Sequence, residues 1–297
     1  MSRRQQDRTV FERFIRSVNR EGSEAFPGRL VLETGKFFLG TPYRAGTLEA
    51  KGGEHLVVNL REFDCFTFVE NVVALAWCVE HHLQESRRSH SRSGGATSRP
   101  NVTGGSAAGV RLRQESFEAF RRLLKKIRYR QGRLQGYPSR LHYFSDWIRD
   151  NQKKGILKDV TAELGGMPLK KPLHFMTAHP DRYPALREAV NLRRMKSLEK
   201  TISKSSLSFI PKNHLRRLED RILDGDVIAI TTSRQGLDVQ HAGLAVRVKN
   251  RIHLIHASSI EGKVVLSQKT LRRYLMESIA RAGIIVGRIE FSLDGSE

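Results

Sequence analysis

The sequence predicts an α+β fold from two observations. Apolar residues recur at helical spacing through roughly the first two thirds of the chain, and the last third changes to two-residue alternation broken by short turns. Asp7 to Asn19 places Val10, Phe11, Phe14, Ile15 and Val18 on one helical face. Leu30 to Leu39 reads as a second helix, closed by Gly40, where helices favour a left-handed residue. Pro42 then forbids helix, so Thr41-Pro42-Tyr43-Arg44-Ala45-Gly46 forms a tight loop.

A nearly all-apolar run from Phe63 to Leu83 follows, with Cys65, Val69, Val72, Val73, Ala76 and Leu83 at helical spacing. It puts Cys65 at a helix start. From Gln84 to Gly109 the composition turns to Ser, Arg, Gly and Thr, and a disordered insertion at about 84–110 is expected. Gly104-Gly105-Ser106-Ala107-Ala108-Gly109 has phosphate-loop glycine spacing but lacks the following Lys-Ser/Thr, which rejects that motif. Phe117, Phe120, Leu124 and Ile127 mark another helix, Ser139 is a candidate cap for one carrying Leu141, Phe144, Trp147 and Ile148, and a further helix covers Tyr183 to Leu198. Strands are expected at 226–232, 241–248, 252–258, 263–267 and 284–291.

With 297 residues and 39% hydrophobic content the chain can bury an ample core. No run of about 18 apolar residues occurs, so no membrane span is expected. No apolar segment of signal-peptide type follows the charged Met1 to Arg8, so either the protein stays in the cytosol or a leader is missing from this sequence. The net charge of +21 favours anionic partners, whether nucleic acid, acidic lipid or a carboxylate-rich polymer. The cations are spread over the whole chain without a zinc-finger, RNP-like or basic-heptad pattern, so nucleic acid is not favoured. Nothing specifies an oligomeric state.

The two cysteines, Cys65 and Cys78, cannot pair on one helix, because 13 residues separate them by about 20 Å and a disulfide needs Cα atoms within about 7 Å. Cys78 is most simply core. For Cys65 two readings stand: a small buried hydrophobe, or a nucleophile whose thiolate is stabilised by the free amides and dipole of a helix start.

A cysteine nucleophile needs a base, and the base an orienting partner. His241 and His256 fall on adjacent strands and project from one face, opposite Ala242, Leu244, Val246, Ile255 and Ala257. A turn at Asn250-Arg251 pairs Lys249 with Ile252 and Ala245 with His256, which leaves the two histidines about 13 Å apart along the strand. Gly243 and Ala245 between them are small enough to let the Cys65 helix approach. No cofactor is implied and no metal site is expected: His81 and His82 point apart on a helix, and neither HExxH nor CxxC occurs.

Taken in order, Gly40-Thr41-Pro42-Tyr43-Arg44-Ala45-Gly46, Phe63-Asp64-Cys65, Gly225-Asp226-Val227-Ile228, His241-Ala242-Gly243 and Ile255-His256-Ala257-Ser258 resemble the signature blocks of NlpC-type cell-wall cysteine peptidases, a papain-like superfamily. Ile127 to Arg130 and Ser139 to Ile148 resemble its N-acetylmuramoyl-L-alanine amidase-like branch. The resemblance implies a papain-like fold, with a helical part carrying the nucleophile helix followed by a C-terminal antiparallel β-sheet. It implies a catalytic domain over 29–292, preceded by a helical extension over 1–28. Cys65 would be the nucleophile, His241 the base and His256 its orienting partner. Tyr43 and Asp64 would lie at the substrate pocket, and Arg140, His142 and Tyr143 are candidates for substrate recognition or, equally, helix surface. The implied reaction is hydrolysis of peptidoglycan or muropeptide amide bonds, at N-acetylmuramoyl-L-alanine or, alternatively, between D-γ-Glu and a diamino acid. Phe66-Thr67 stand where Ser-Gly usually follows the cysteine, which alters the pocket floor. Such a function implies an extracytoplasmic location. The rival class is a basic nucleic-acid or surface-binding module without catalysis.

Overall fold

The computed structural model describes residues 1–18, 27–49, 52–92 and 107–291, with the backbone alone over 82–92 and 107–115. Helix α1 spans Arg3–Val18, α2 Pro27–Phe37, α3 Cys65–Arg92 and α4 Ala107–Arg128. After them come α5 (Phe144–Lys153), β1 (Leu157–Asp159), β2 (Met167–Leu169), α6 (Phe175–Ala178), α7 (Ala189–Ser203), β3 (Leu207–Pro211) and α8 (Leu215–Leu218). The sheet-rich end holds β4 (Val227–Thr232), β5 (Val239–Val248), β6 (Arg251–Ser258), β7 (Lys263–Leu266), α9 (Leu271–Met276) and β8 (Arg281–Ile289).

The eight strands form one antiparallel sheet in the order β2-β3-β8-β4-β5-β6-β7, with β1 also on β8. Five of them are the strands the alternation predicts. The other three, β1, β2 and β3, are only three to five residues long, too short for a two-residue period to register. One sheet face, carrying Val227, Ala229, Ala242, Leu244, Ile255, Ala257 and Ile285, packs in a single core with Phe68, Val69, Val72 and Val73 of α3 and Leu30, Val31 and Leu32 of α2. Phe11 and Phe14 of α1 enter the same core, so the N-terminal helix is built into it. The other sheet face packs Ile228, Ile230, Ala245, Leu254 and Val286 against Leu271 and Leu275 of α9. Tyr137, Tyr143, Phe175, Leu186 and Met195 belong to a third cluster.

Several boundaries differ from expectation. Helices α3 and α4 run into the supposed insertion, reaching Arg92 and starting at Ala107; residues 93–106 lie outside the described residues, as does the side chain of Leu83. Once a helix is nucleated by a buried face, good helix formers such as Gln84, Glu85 and Arg87 extend it at little cost. Ser139 does not cap α5, because its hydroxyl accepts from Gln135 N (2.9 Å) and donates to Gly136 O (2.6 Å) within its own turn. The helix expected from Tyr183 begins at Ala189 instead, since Pro184 starts a separate 3-10 turn.

Helix α3 is held at two points near its start. Asp64 caps it, accepting from Thr67 N (2.8 Å), while Asp64 N donates back to Thr67 Oγ1 (3.0 Å). One turn further on, Glu70 accepts from Arg128 Nε of α4 (2.7 Å), and both side chains are almost fully buried. Burial pushes the Glu70 carboxyl up, and the guanidinium opposes that shift. Removing one member of such a pair strands the other charge. Glu70→Ala should therefore cost about 3–5 kcal/mol in urea denaturation, and Glu70→Gln, which keeps an acceptor oxygen, measurably less.

Candidate active site

Cys65, the first residue of α3, keeps some contact with solvent, yet its sulfur lies deep enough that burial dominates its chemistry. The backbone amides of Ala242, Cys65 and Phe66 hydrogen-bond to the sulfur and favour the thiolate. Burial and the adjacent Asp64 carboxylate outweigh them, and the thiol is pushed up to about 12. The expected depression is thus reversed in the resting site, because the dipole end competes with desolvation and a neighbouring negative charge.

Ala242 follows His241, so the strand that carries the histidine passes the sulfur at the next residue. His241 Nε2 lies 2.7 Å from His256 Nδ1, the two rings edge to face with centroids 4.8 Å apart. This replaces the expected 13 Å offset, and two local features account for the change. The β5–β6 turn is Lys249-Asn250, both with positive φ (46° and 62°), which pairs Val248 with Arg251 and Leu244 with Ile255. That slips the expected register by two residues and preserves the faces. A bulge then places Gln240 between the pairs Ile230–His241 and Thr231–Val239, re-aiming the chain just before His241.

The small residues serve a different purpose from the expected one. Helix α3 packs on the opposite sheet face, over Ala242 and Leu244, not over Gly243 and Ala245. Gly243 makes room for the histidine: a Cβ there would lie 2.9 Å from His256 Cβ and 2.8 Å from Ile255 O.

Around this centre the structure distributes the other expected residues unevenly. Tyr43 is bound to the nucleophile segment by backbone, pairing with Phe63, and its hydroxyl is pushed up by burial and by Cys65 and Asp64. Asp64 lines a cleft of about 280 Å³ together with Phe66, Arg140, His142 and Tyr183. Arg140 is nearly buried, however, and its guanidinium is occupied by Leu48 O (2.7 Å) and Glu49 Oε1 (2.5 Å) beside Glu54. It ties together Leu48, Glu49 and Glu54, and being nearly buried it is not helix surface. His142 stacks on Tyr137, bonds Tyr137 O (2.9 Å) and is pushed well down by burial. Tyr143 does not face this cleft: it is buried in the third cluster, donating to Glu199 (2.6 Å) and accepting from Met176 N (3.1 Å).

Two residues that sequence reasoning missed complete the histidine side. The Tyr274 ring centroid lies 6.0 Å from that of His241 and 5.7 Å from that of His256, and Arg281 stacks on it at 3.7 Å. Thr270, which caps α9 by accepting from Arg273 N, was the available signal. Burial, with His256 and Arg281, pushes His241 down to about 3, and burial with Arg281 pushes His256 down to about 4.

The chain belongs to the AmiA-like family, described as N-acetylmuramoyl-L-alanine amidase-like, which it matches over residues 33–93 and 107–284. It is similar to an N-acetylmuramoyl-L-alanine amidase from Bacteroides uniformis ATCC 8492, with 35% identity and a TM-score of 0.74 over 89% of this chain and 99% of that one. A Bacteroides fragilis protein named as a candidate xylanase is 36% identical, with a TM-score of 0.70 over 87% and 100% of the two chains. A Legionella pneumophila protein of the DUF1460 family shares the fold at 23% identity, TM-score 0.63, over 96% and 95%. No curated protein matches the sequence. The family makes this an amidase-like protein, of the class of hydrolases that act on amide bonds, with peptidoglycan as the substrate the family suggests.

Histidines held below their ordinary value bind fewer protons folded than unfolded. Their contribution to stability is complete above the unfolded value of about 6.5 and is lost as pH falls toward the folded values. Denaturant midpoints should therefore fall between pH 6.5 and 4. His256→Asn should flatten that dependence by up to about 1.4 kcal/mol per pH unit, read from urea titrations at successive pH.

Proposed function

We propose that the protein is a cysteine amidase of NlpC-type, papain-like descent that hydrolyses muropeptides at the N-acetylmuramoyl-L-alanine bond. The observation that carries this reading is the 2.7 Å His241–His256 contact beside a sulfur that is hydrogen-bonded by the backbone of Ala242. With Nε2 of His241 engaged by His256, Nδ1 is the nitrogen left to take the Cys65 proton. The thiolate attacks the carbonyl carbon, and the backbone N–H at the start of α3 helps hold the oxyanion. His241 then protonates the leaving amine and activates the water that releases the acyl group. His256 acts as a positioning residue, fixing the tautomer of His241.

The starting state is two neutral groups, thiol and imidazole. Proton transfer between them creates two charges that attract each other, and closure of the site by substrate strengthens that attraction. A glycosidase reading, suggested by the Bacteroides fragilis neighbour, has less support. Retaining and inverting mechanisms both call for two carboxyls flanking the bond. Here Asp64 is engaged as a helix cap, and Glu49 and Glu54 face Arg140. A purely basic binding module is also disfavoured, since Arg128, Arg130 and Arg140 are paired with Glu70, Asp146 and Glu49. We place the catalytic unit at 29–292, and a peptidoglycan substrate puts the enzyme outside the cytoplasm.

Cys65→Ala should abolish release of L-Ala-terminated peptide from purified muropeptides, read by mass spectrometry, with the thermal midpoint retained. Products carrying a new diamino-acid amino terminus would assign the D-γ-Glu bond instead. His241→Ala should lower kcat by about 10²–10⁴, whereas His256→Ala should leave residual activity with a displaced acid limb of the pH profile.

A further inference from the structure

One opening is lined by Asp64 and Phe66, the chain neighbours of Cys65, and a larger one lies on the histidine side. That cleft encloses about 780 Å³, is floored by His256 and Tyr274, and is edged by Lys263, Lys269, Arg273 and Arg281. It reaches the histidine pair, because the ring of Tyr274 on its floor adjoins both imidazoles. In an acyl transfer in which His241 protonates the departing amine, the departing segment occupies the histidine side. The occupant of this cleft is then the amine half of the substrate.

Its lining carries four cations, Lys263, Lys269, Arg273 and Arg281, and two carboxylates, Glu261 and Glu277, so cations are in excess. Lys269 and Arg273 both face Glu277, at 2.8 and 3.7 Å. Lys263 and Arg281 have no carboxylate partner among the described residues; Arg281 instead donates to Tyr274 O and stacks on its ring. His256 is 3% exposed and lines the cleft. Its Nδ1 faces His241, and its Nε2 has no hydrogen-bond partner among the described residues. When His241 donates to Nδ1, the proton of His256 sits on Nε2, a donor left without an acceptor among the described residues and open to the cleft.

We infer that this cleft binds a carboxylate on the departing peptide, which accepts from His256 Nε2–H and faces the charges of Lys263 and Arg281. The inference rests on the amidase reading above. A carboxylate there counters the Arg281 field that holds both imidazoles down, so the substrate itself completes the chain from Cys65 through His241 and His256 to an anion.

The test uses the full chain and two muramyl dipeptides, N-acetylmuramoyl-L-Ala-D-Glu with both glutamate carboxylates free and its α,γ-diamide. The carboxylate form should be hydrolysed with kcat/KM higher by about tenfold or more, and Lys263→Gln and Arg281→Gln should each bring that ratio toward one. Arg281 also packs on Tyr274, so Lys263→Gln, at an exposed position, keeps the test independent of folding. A second arm titrates Cys65→Ala protein calorimetrically with L-Ala-D-Glu and its α,γ-diamide. Tighter binding of the acid, lost in Lys263→Gln, supports the site even when neither dipeptide is hydrolysed, an outcome that would remove the amidase reading alone. Hydrolysis of both dipeptides at one rate, or a ratio unchanged in both variants, overturns the carboxylate site and leaves the amidase reading standing.

Discussion

The arrangement depends on one backbone clamp. Phe63 N donates to Pro42 O (3.0 Å) and Arg44 N to Phe63 O (2.8 Å), which ties the segment before Cys65 to the loop after α2. That loop is tied in turn to the sheet edge: Gly40 N donates to Val264 O (2.9 Å), Val264 N to Thr41 O (2.8 Å) and Tyr43 N to Gly262 O (2.8 Å). The start of α3 is thereby indexed to β7, and β7 pairs with β6, which carries His256. Pro42 suits such a position because it needs no amide partner, and Gly40, at φ +85°, turns the chain out of α2 into it. Main-chain hydrogen bonds thus fix the distance between a helix terminus and a sheet. A sulfur and two imidazoles drawn from residues 65, 241 and 256 require that kind of rigidity.

A second anchor acts on the histidine strand from the other end. Asp238, immediately before β5, accepts from Ser145 N at the start of α5 (2.8 Å), while burial pushes its carboxyl up. The bulge at Gln240 lies between this anchor and His241. Strand β5 is therefore pinned, bulged and then paired regularly with β6, and His241 sits at the boundary between the irregular and the regular portions. Such a boundary can aim a side chain away from the ordinary pleat without disturbing the core behind it. The core on that side is Ala242 and Leu244, packed with α3.

How much of this was legible in the sequence varied with the range of the interaction. The start of α3 at Cys65 could be read because helical spacing is local. The faces of His241 and His256 could also be read, because alternation survives a two-residue slip. The register could not, since the turn at Lys249-Asn250 puts Lys249 at positive φ, a position where the usual turn signature has Asn, Asp or Gly. The bulge depends on β4 and left no mark in β5 itself. Tyr274 and Arg281 escaped for the same reason: they reach the imidazoles only through the packing of α9 and β8 against the sheet. Tyr143 looked functional beside Arg140 and His142, but which way one residue before a helix points is decided by tertiary contacts, here with Glu199 and Met176.

Net charge was the least informative quantity at the level of the site. The value of +21 attracts any polyanion, yet the arginines nearest the core are consumed internally, Arg128 by Glu70, Arg140 by Glu49 and Arg288 by Asp226. What bears on the chemistry is the local arrangement. Asp64 stands on one side of the sulfur and Arg281 beside the two imidazoles. The carboxylate opposes formation of the thiolate and the guanidinium opposes formation of the imidazolium, so both charged groups resist the ion pair in the empty site. A substrate that shields Asp64 and places negative charge near Arg281 removes both objections at once. Under the proposed mechanism, the residues that oppose the ion pair are the ones a charged substrate would neutralise, which would couple activation of the thiol to binding.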